Sequence, residues 1–152
     1  MNKGKEDEWR FIGFYRVKNS KSSLIMVCLR SLKRRNSIPW LCARDFNEII
    51  RSHEKIGGRQ RPIRQMKDFR DVLDECGFKD LGFVGGKFTW CNGHPDDLTI
   101  WERLDRAVAT MEWLEKFLAT KVIHLECSSS NHKPILICLN GIPKLRKKTL
   151  EI

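Results

Sequence analysis

Several features are missing from this 152-residue chain, and each absence removes a class of function. No apolar run approaches the ~20 residues that a membrane-spanning helix needs, which excludes a helical membrane protein and predicts no membrane partner. Met1 to Glu8 is charged and lacks the apolar segment of a secretory signal, so the expected setting is intracellular, either nuclear or cytoplasmic. The six cysteines (Cys28, Cys42, Cys76, Cys91, Cys127 and Cys138) contain no C-x-x-C pair, which argues against a zinc knuckle or a disulfide framework. Buried free thiols are the expectation. No internal repeat and no linker divides the chain, so residues 9–140 read as one domain, with 1–8 and 141–152 as charged tails.

Hydrophobic residues make up 41% of the sequence and five are Trp, enough for a folded core. The net charge of +10 is unevenly spread. Residues 1–64 hold 16 Lys/Arg against 6 Asp/Glu, residues 65–140 hold 9 against 12, and 141–152 hold 4 against 1. The densest stretch carries Arg51, Lys55, Arg59, Arg61 and Arg64 around the Gly57-Gly58 pair, which marks a loop. Such a loop suits phosphate contacts, and charge alone equally fits a solvated surface.

Read for pattern, Trp9–Tyr15 is a strand, and a helix capped by Ser22 or Ser23 runs to about Lys33 with Leu24, Cys28, Leu29 and Leu32 on one face. A strand covers 38–44. A second amphipathic helix, Gln65–Cys76, aligns Met66, Phe69, Val72, Leu73 and Cys76, with Gly77 as its C-terminal cap. Strands follow at Phe78–Phe83, Lys87–Asn92 and Leu98–Glu102, then a helix through Trp113 and Phe117, then strands at Lys121–Glu126 and Pro134–Leu139. This order predicts an α+β or α/β layered fold.

One run stands out: Ile38-Pro39-Trp40-Leu41-Cys42-Ala43-Arg44-Asp45-Phe46-Asn47-Glu48-Ile49. If the triplet at its polar end stays extended, Asp45 and Asn47 project to one side and Phe46 into the core. Such a pair can hold a cation, a phosphate or an attacking water, and the same residues also suit an Asx turn. Further polar residues fall at strand ends: Tyr15, Thr89, Asp105, and Ser130-Asn131-His132. A histidine fixed by a buried carboxylate is a general base, and His132 with Asp105 offers that combination. Each also has a plainer reading, Tyr15 as a strand aromatic, Asp105 as a helix cap and His132 as a turn residue.

Taken in order, Phe-Tyr, Pro-Trp-Leu-Cys-x-x-Asp-Phe-Asn-Glu-Ile, Glu-Lys-x-Gly-Gly, Phe-Thr-Trp, Glu-Arg-Leu-Asp-Arg and Ser-x-His-x-Pro-Ile resemble the endonuclease domain of plant LINE-type (non-LTR) retrotransposons. That domain belongs to the endonuclease/exonuclease/phosphatase superfamily, which includes DNase I. The resemblance covers Trp9 to Asn140 and implies a DNase I-like four-layer sandwich, two packed sheets flanked by helices. It also implies Mg²⁺-dependent hydrolysis of a DNA phosphodiester. Tyr15 matches the phosphate-contacting tyrosine, and Asp45 and Asn47 match the pair that positions nucleophile and phosphate. Thr89 precedes the aromatic contact, Asp105 orients the catalytic histidine, and His132 is that histidine. Asp45 and the residue at 131 would help hold the metal, with Thr89, Ser130 and the basic loop on phosphate and DNA.

The departures are specific. The family carries an Asn and a metal-binding Glu ahead of the Tyr15 strand, and only eight residues precede Trp9, so the expectation is a domain incomplete at its N-terminus. Arg44 replaces the glycine of Gly-Asp-Phe-Asn, and Asn131 replaces the acid of Ser-Asp-His. The resemblance therefore implies a remnant endonuclease with weakened metal binding. A non-catalytic nucleic-acid-binding or interaction module is the alternative, and a phosphoesterase acting on small molecules is a third reading disfavoured by the Glu54-Lys55-Ile56-Gly57-Gly58 loop.

Overall fold

The computed structural model describes residues 8–13, 22–35 and 38–142. The first sheet holds four strands: β1 (Arg10–Gly13), β2 (Trp40–Asp45), β4 (Phe78–Asp80) and β7 (Asp105–Thr110). Their order is β1-β2-β7-β4, with β1 parallel to β2 and the other pairs antiparallel. A second sheet, β3 (Lys55–Ile56), β6 (Trp101–Glu102) and β5 (Trp90–Cys91), is short, and β8 (Lys121–His124) pairs with β9 (Ile135–Cys138) as a separate hairpin. With helices α1 (Ser22–Arg35), α2 (Ile63–Glu75) and α3 (Met111–Lys116), the fold is α+β.

The alternation of β2 and β7 decides what lies on each side of the central sheet. Trp40, Cys42, Phe46 and Val108 pack on one face against Ile25, Met26 and Leu29 of α1 and Phe69, Val72 and Leu73 of α2. Leu41, Ala107 and Ala109 pack on the other against Trp113 of α3 and Val122 of β8, with Ile135 and Ile137 of β9 beside them. Phe46 and Phe69 are essentially solvent-free, and burying a side chain of that size contributes about 1.5–3 kcal/mol.

Most predicted elements are present, with several corrections. The buried stripe of α1 is Ile25, Met26 and Leu29, so the helix is rotated and Leu24 and Cys28 are exposed. The α2 face is as expected, and Gly77 ends that helix at φ +67°. The strands expected at 87–92 and 98–102 are ordered as such only over Trp90–Cys91 and Trp101–Glu102, and Leu98 falls in a 3₁₀ turn, Asp96–Leu98. The sequence pattern does not predict the central strand β7, because Ala107-Val108-Ala109 has no alternation to distinguish it from the helix that follows. All six cysteines are free, yet only Cys42 and Cys76 are buried. Among the described residues no helix is long and apolar enough to cross a membrane.

Candidate active site

β2 ends and β7 begins side by side, and their register sets Asp45 directly opposite Asp105. Two carboxylates across an antiparallel pair repel, so this ladder end needs a positive or proton-donating partner. His132 supplies it. Its loop is fastened to β5 by a bridge between Trp90 and His132 and by the amides of Cys91 and Lys133, which donate to Asn131 O at 3.0 Å and Thr89 O at 2.7 Å. The Ser130 hydroxyl accepts from the His132 amide at 3.2 Å.

The ring lies between the two acids. His132 Nδ1 is 2.9 Å from Asp105 Oδ2, and Nε2 is 3.7 Å from Asp45 Oδ2. An ionised carboxylate can only accept, so Nδ1 carries the proton toward Asp105. The 3.7 Å separation exceeds a direct hydrogen bond, so Asp45 faces Nε2 as a nearby charge. Side-chain exposures of 14% for Asp105, 18% for His132 and 28% for Asp45 grade the row from its more enclosed to its more accessible end. A depression of about 440 Å³, lined partly by Arg44, Asp45 and Asp105, runs from here between the central sheet and β9.

The other expected residues divide. Asn47 does not continue the strand. Its backbone turns at φ +51°, and its amide donates to Asp45 Oδ1 at 2.7 Å, the Asx-turn geometry. Its side chain lines a different depression, shared with Ser22, Ser23, Glu48 and Arg61. Phe46 enters the core as expected. Thr89 has no solvent exposure, and its hydroxyl accepts from the Leu104 and Asp105 amides at 3.0 and 2.9 Å, so a direct phosphate contact is excluded by burial. Asn131 is exposed, its carboxamide beside Gly93. Arg44 Nε donates to the Asp45 carbonyl at 2.9 Å, and burial lowers its guanidinium from the ordinary value. Tyr15 lies outside the described residues, as do Lys144, Arg146, Lys147 and Lys148.

The basic loop is less available than its composition suggests. Lys55 and Arg61 both pair with Glu102, at 2.9 and 2.7 Å, and Arg61 also meets buried Glu48 at 3.2 Å. Arg51, Arg59 and Arg64 are exposed. Gly57 has φ +84° and sits against the Thr99 carbonyl, where any side chain would collide.

Two features were not anticipated. Arg103 and Arg106 form a buried ion network with Glu54 and Asp80, at 2.7–3.1 Å. Burial pushes both carboxyls up, but the Arg106 and Arg103 guanidinium groups outweigh it and hold them below their ordinary values. The repeated Arg of Glu-Arg-Leu-Asp-Arg was the available signal. Buried His124 donates from Nδ1 to the Gly86 carbonyl at 2.6 Å and stacks on Phe83 with centroids 4.5 Å apart. Its Nε2 is buried without a partner, and burial pulls its pKa below the ordinary value.

Asp45, Asp105 and His132 each offer one ligand atom within 4.8 Å of the others. The set fits Mg²⁺ poorly. Asp105 already accepts from the imidazole, Asp45 has one oxygen on the Asn47 amide, and imidazole suits softer ions than one that demands oxygen ligands in octahedral geometry. What the protein's own groups can do is move a proton. A neutral His132 takes one at Nε2, and Asp105 holds the ring in that tautomer and stabilises the cation formed. No protein-family model matches this chain, and no curated protein matches it.

Proposed function

We propose that this chain carries the proton-transfer part of a phosphodiester-hydrolysing DNA site of the DNase I-like, LINE-endonuclease type, and that it turns over weakly or not at all. The observation that supports this most is the Asp105–His132–Asp45 row, drawn from three separated segments, with Nδ1 on one carboxylate and Nε2 toward the other. Water attacking a phosphodiester gives up a proton, and His132 accepts it at Nε2. The same superfamily reading supplies the four-layer sandwich as the finer description of the α+β fold.

The low activity follows from what surrounds the row. Proton transfer contributes on the order of 10²–10⁴ in rate, whereas phosphate-ester hydrolysis requires far larger acceleration, most of it from cations that offset charge on the phosphate. Asn131 is neutral where the family has an acid, and the donor set fits Mg²⁺ poorly. The test incubates the purified chain with supercoiled plasmid and Mg²⁺ or Mn²⁺ beside a His132→Ala variant. The expected result is no nicking, or traces that the variant abolishes. Rapid nicking abolished by His132→Ala would overturn the low activity, and nicking unchanged by the variant would overturn the assignment of His132. A second reading, a non-catalytic DNA-binding module, draws support from exposed Arg51, Arg59 and Arg64.

A further inference from the structure

Thr89 is hydrogen-bonded on one side to Asp105 and on the other to Lys133, the neighbour of His132. Its hydroxyl Oγ1 accepts from two consecutive amides, Leu104 N at 3.0 Å and Asp105 N at 2.9 Å, where β7 begins. Its carbonyl accepts from Lys133 N at 2.7 Å, one residue past His132, and its own amide donates to Glu102 O at 3.0 Å. The next residue, Trp90, bridges to His132 itself. Thr89 is fully buried, so none of these bonds competes with water.

This arrangement has a physical requirement behind it. Leu104 lies between β6 and β7, and its amide and the first amide of β7 point into the protein rather than along the ladder. Buried amides must be satisfied, and a single acceptor with two lone pairs in reach of both fixes the strand start in space. Asp105 hangs from one of those amides. His132 hangs from the loop that Thr89 holds on its other side. The carboxylate-to-imidazole distance of 2.9 Å is thus set across one residue.

We propose that Thr89 is a positioning residue for the His132–Asp105 pair, acting through its hydroxyl on the Asp105 backbone and through its carbonyl on the His132 loop, without touching substrate. It rests on the reading of that pair as a proton-transfer unit. Serine keeps the acceptor, cysteine supplies a poorer one, and valine keeps the shape with no acceptor at all.

The test follows the His132 Nδ1 proton by NMR in the full chain, measuring its exchange with water in the parent and in T89S, T89C, T89V and D105N. A core control, V72A, lowers stability away from the site. The proposal expects T89S to match the parent, T89C to exchange faster, and T89V to exchange at least about tenfold faster, since each of the two hydrogen bonds it loses is worth up to about that factor. V72A should leave the proton alone, and D105N should speed its exchange most. If T89V does not fold, the T89C-to-T89S comparison carries the test. Unchanged exchange in T89V and T89C, with D105N still effective, would overturn the role of Thr89 and leave the pair intact. Equal acceleration in V72A would reduce Thr89 to general stability and overturn the proposal as well. A proton indifferent to D105N would overturn the pair itself, and Thr89 with it.

Discussion

Asp105 and Arg106 are neighbours on β7, yet they belong to two charged clusters of opposite design. Arg106 turns to one face of the sheet and joins Arg103, Glu54 and Asp80, two cations against two anions with side-chain exposures between 0% and 22%. Asp105 turns to the other and joins Asp45 and His132, two acids around one imidazole, each partly exposed. The first cluster is matched and closed. It ties the segment around Glu54 and β4 to β7, and removing any member leaves one buried charge in excess. The second is unmatched and partly exposed, and its two acids line a depression. Strand alternation lets one short segment build a closed ion network and a partly exposed acid–imidazole row within two residues.

The strongest way to break this comparison is to remove one member from each side. Arg106→Ala leaves Glu54 and Asp80 sharing Arg103 alone, one buried acid in excess, and should lower unfolding free energy by about 3–5 kcal/mol, measured by urea titration. Asp105→Asn relieves the repulsion across from Asp45 and should change it by about 1 kcal/mol or less, neutral to stabilising. Similar losses in both variants would mean that the partly exposed cluster is as structural as the closed one.

Acid sharpens the contrast. Glu54 and Asp80 have folded pKa values held below the ordinary 4.5 and 3.8. Depressed acids stabilise fully above their unfolded values, so this contribution is present above about pH 5 and drains away as pH falls through the region below. Thermal midpoints should therefore drop steeply below that point in the parent and more shallowly in Arg106→Ala.

His124 gives a milder effect at higher pH. Its pKa is lowered from 6.5, chiefly by burial, with Arg103 also lowering it and Gly86, Asp105 and Asp80 acting the other way. A depressed histidine stabilises above its unfolded value and loses that contribution as pH falls below 6.5. The midpoint should fall between neutral pH and mild acid in the parent and stay flatter in His124→Asn, which keeps a donor for Gly86 without titrating.

The smallest effect concerns the basic loop, where ion pairing again separates matched from unmatched charge. If Arg51, Arg59 and Arg64 carry weak duplex DNA binding, log affinity should fall against log salt with a slope near −2 to −3. Replacing any one of them with Ala should reduce the slope by about 1, whereas Lys55→Ala should change it less because Lys55 is paired with Glu102. A salt-independent affinity would remove DNA from the loop's role.

Local pattern determined a good deal without help. The α2 stripe, the strand before Asp45, the burial of Phe46 and the absence of disulfides follow from spacing and composition, because a helix face or a buried strand needs only residues close in the chain. The pairing of His132 with Asp105 was expected only through the family resemblance, and the fold brings the two to 2.9 Å. Tertiary structure decided the rest. The turn at Asn47 needed its backbone geometry, the face of α1 needed its neighbours, and β7 was invisible until β2 and β4 flanked it. Charge needed three dimensions most of all. A count assigns Arg61 and Lys55 to the surface and Glu54 to isolation among bases. The fold instead brings Glu48, Glu54 and Glu102 onto cations from distant segments, because a charge can leave water only when an opposite one meets it there.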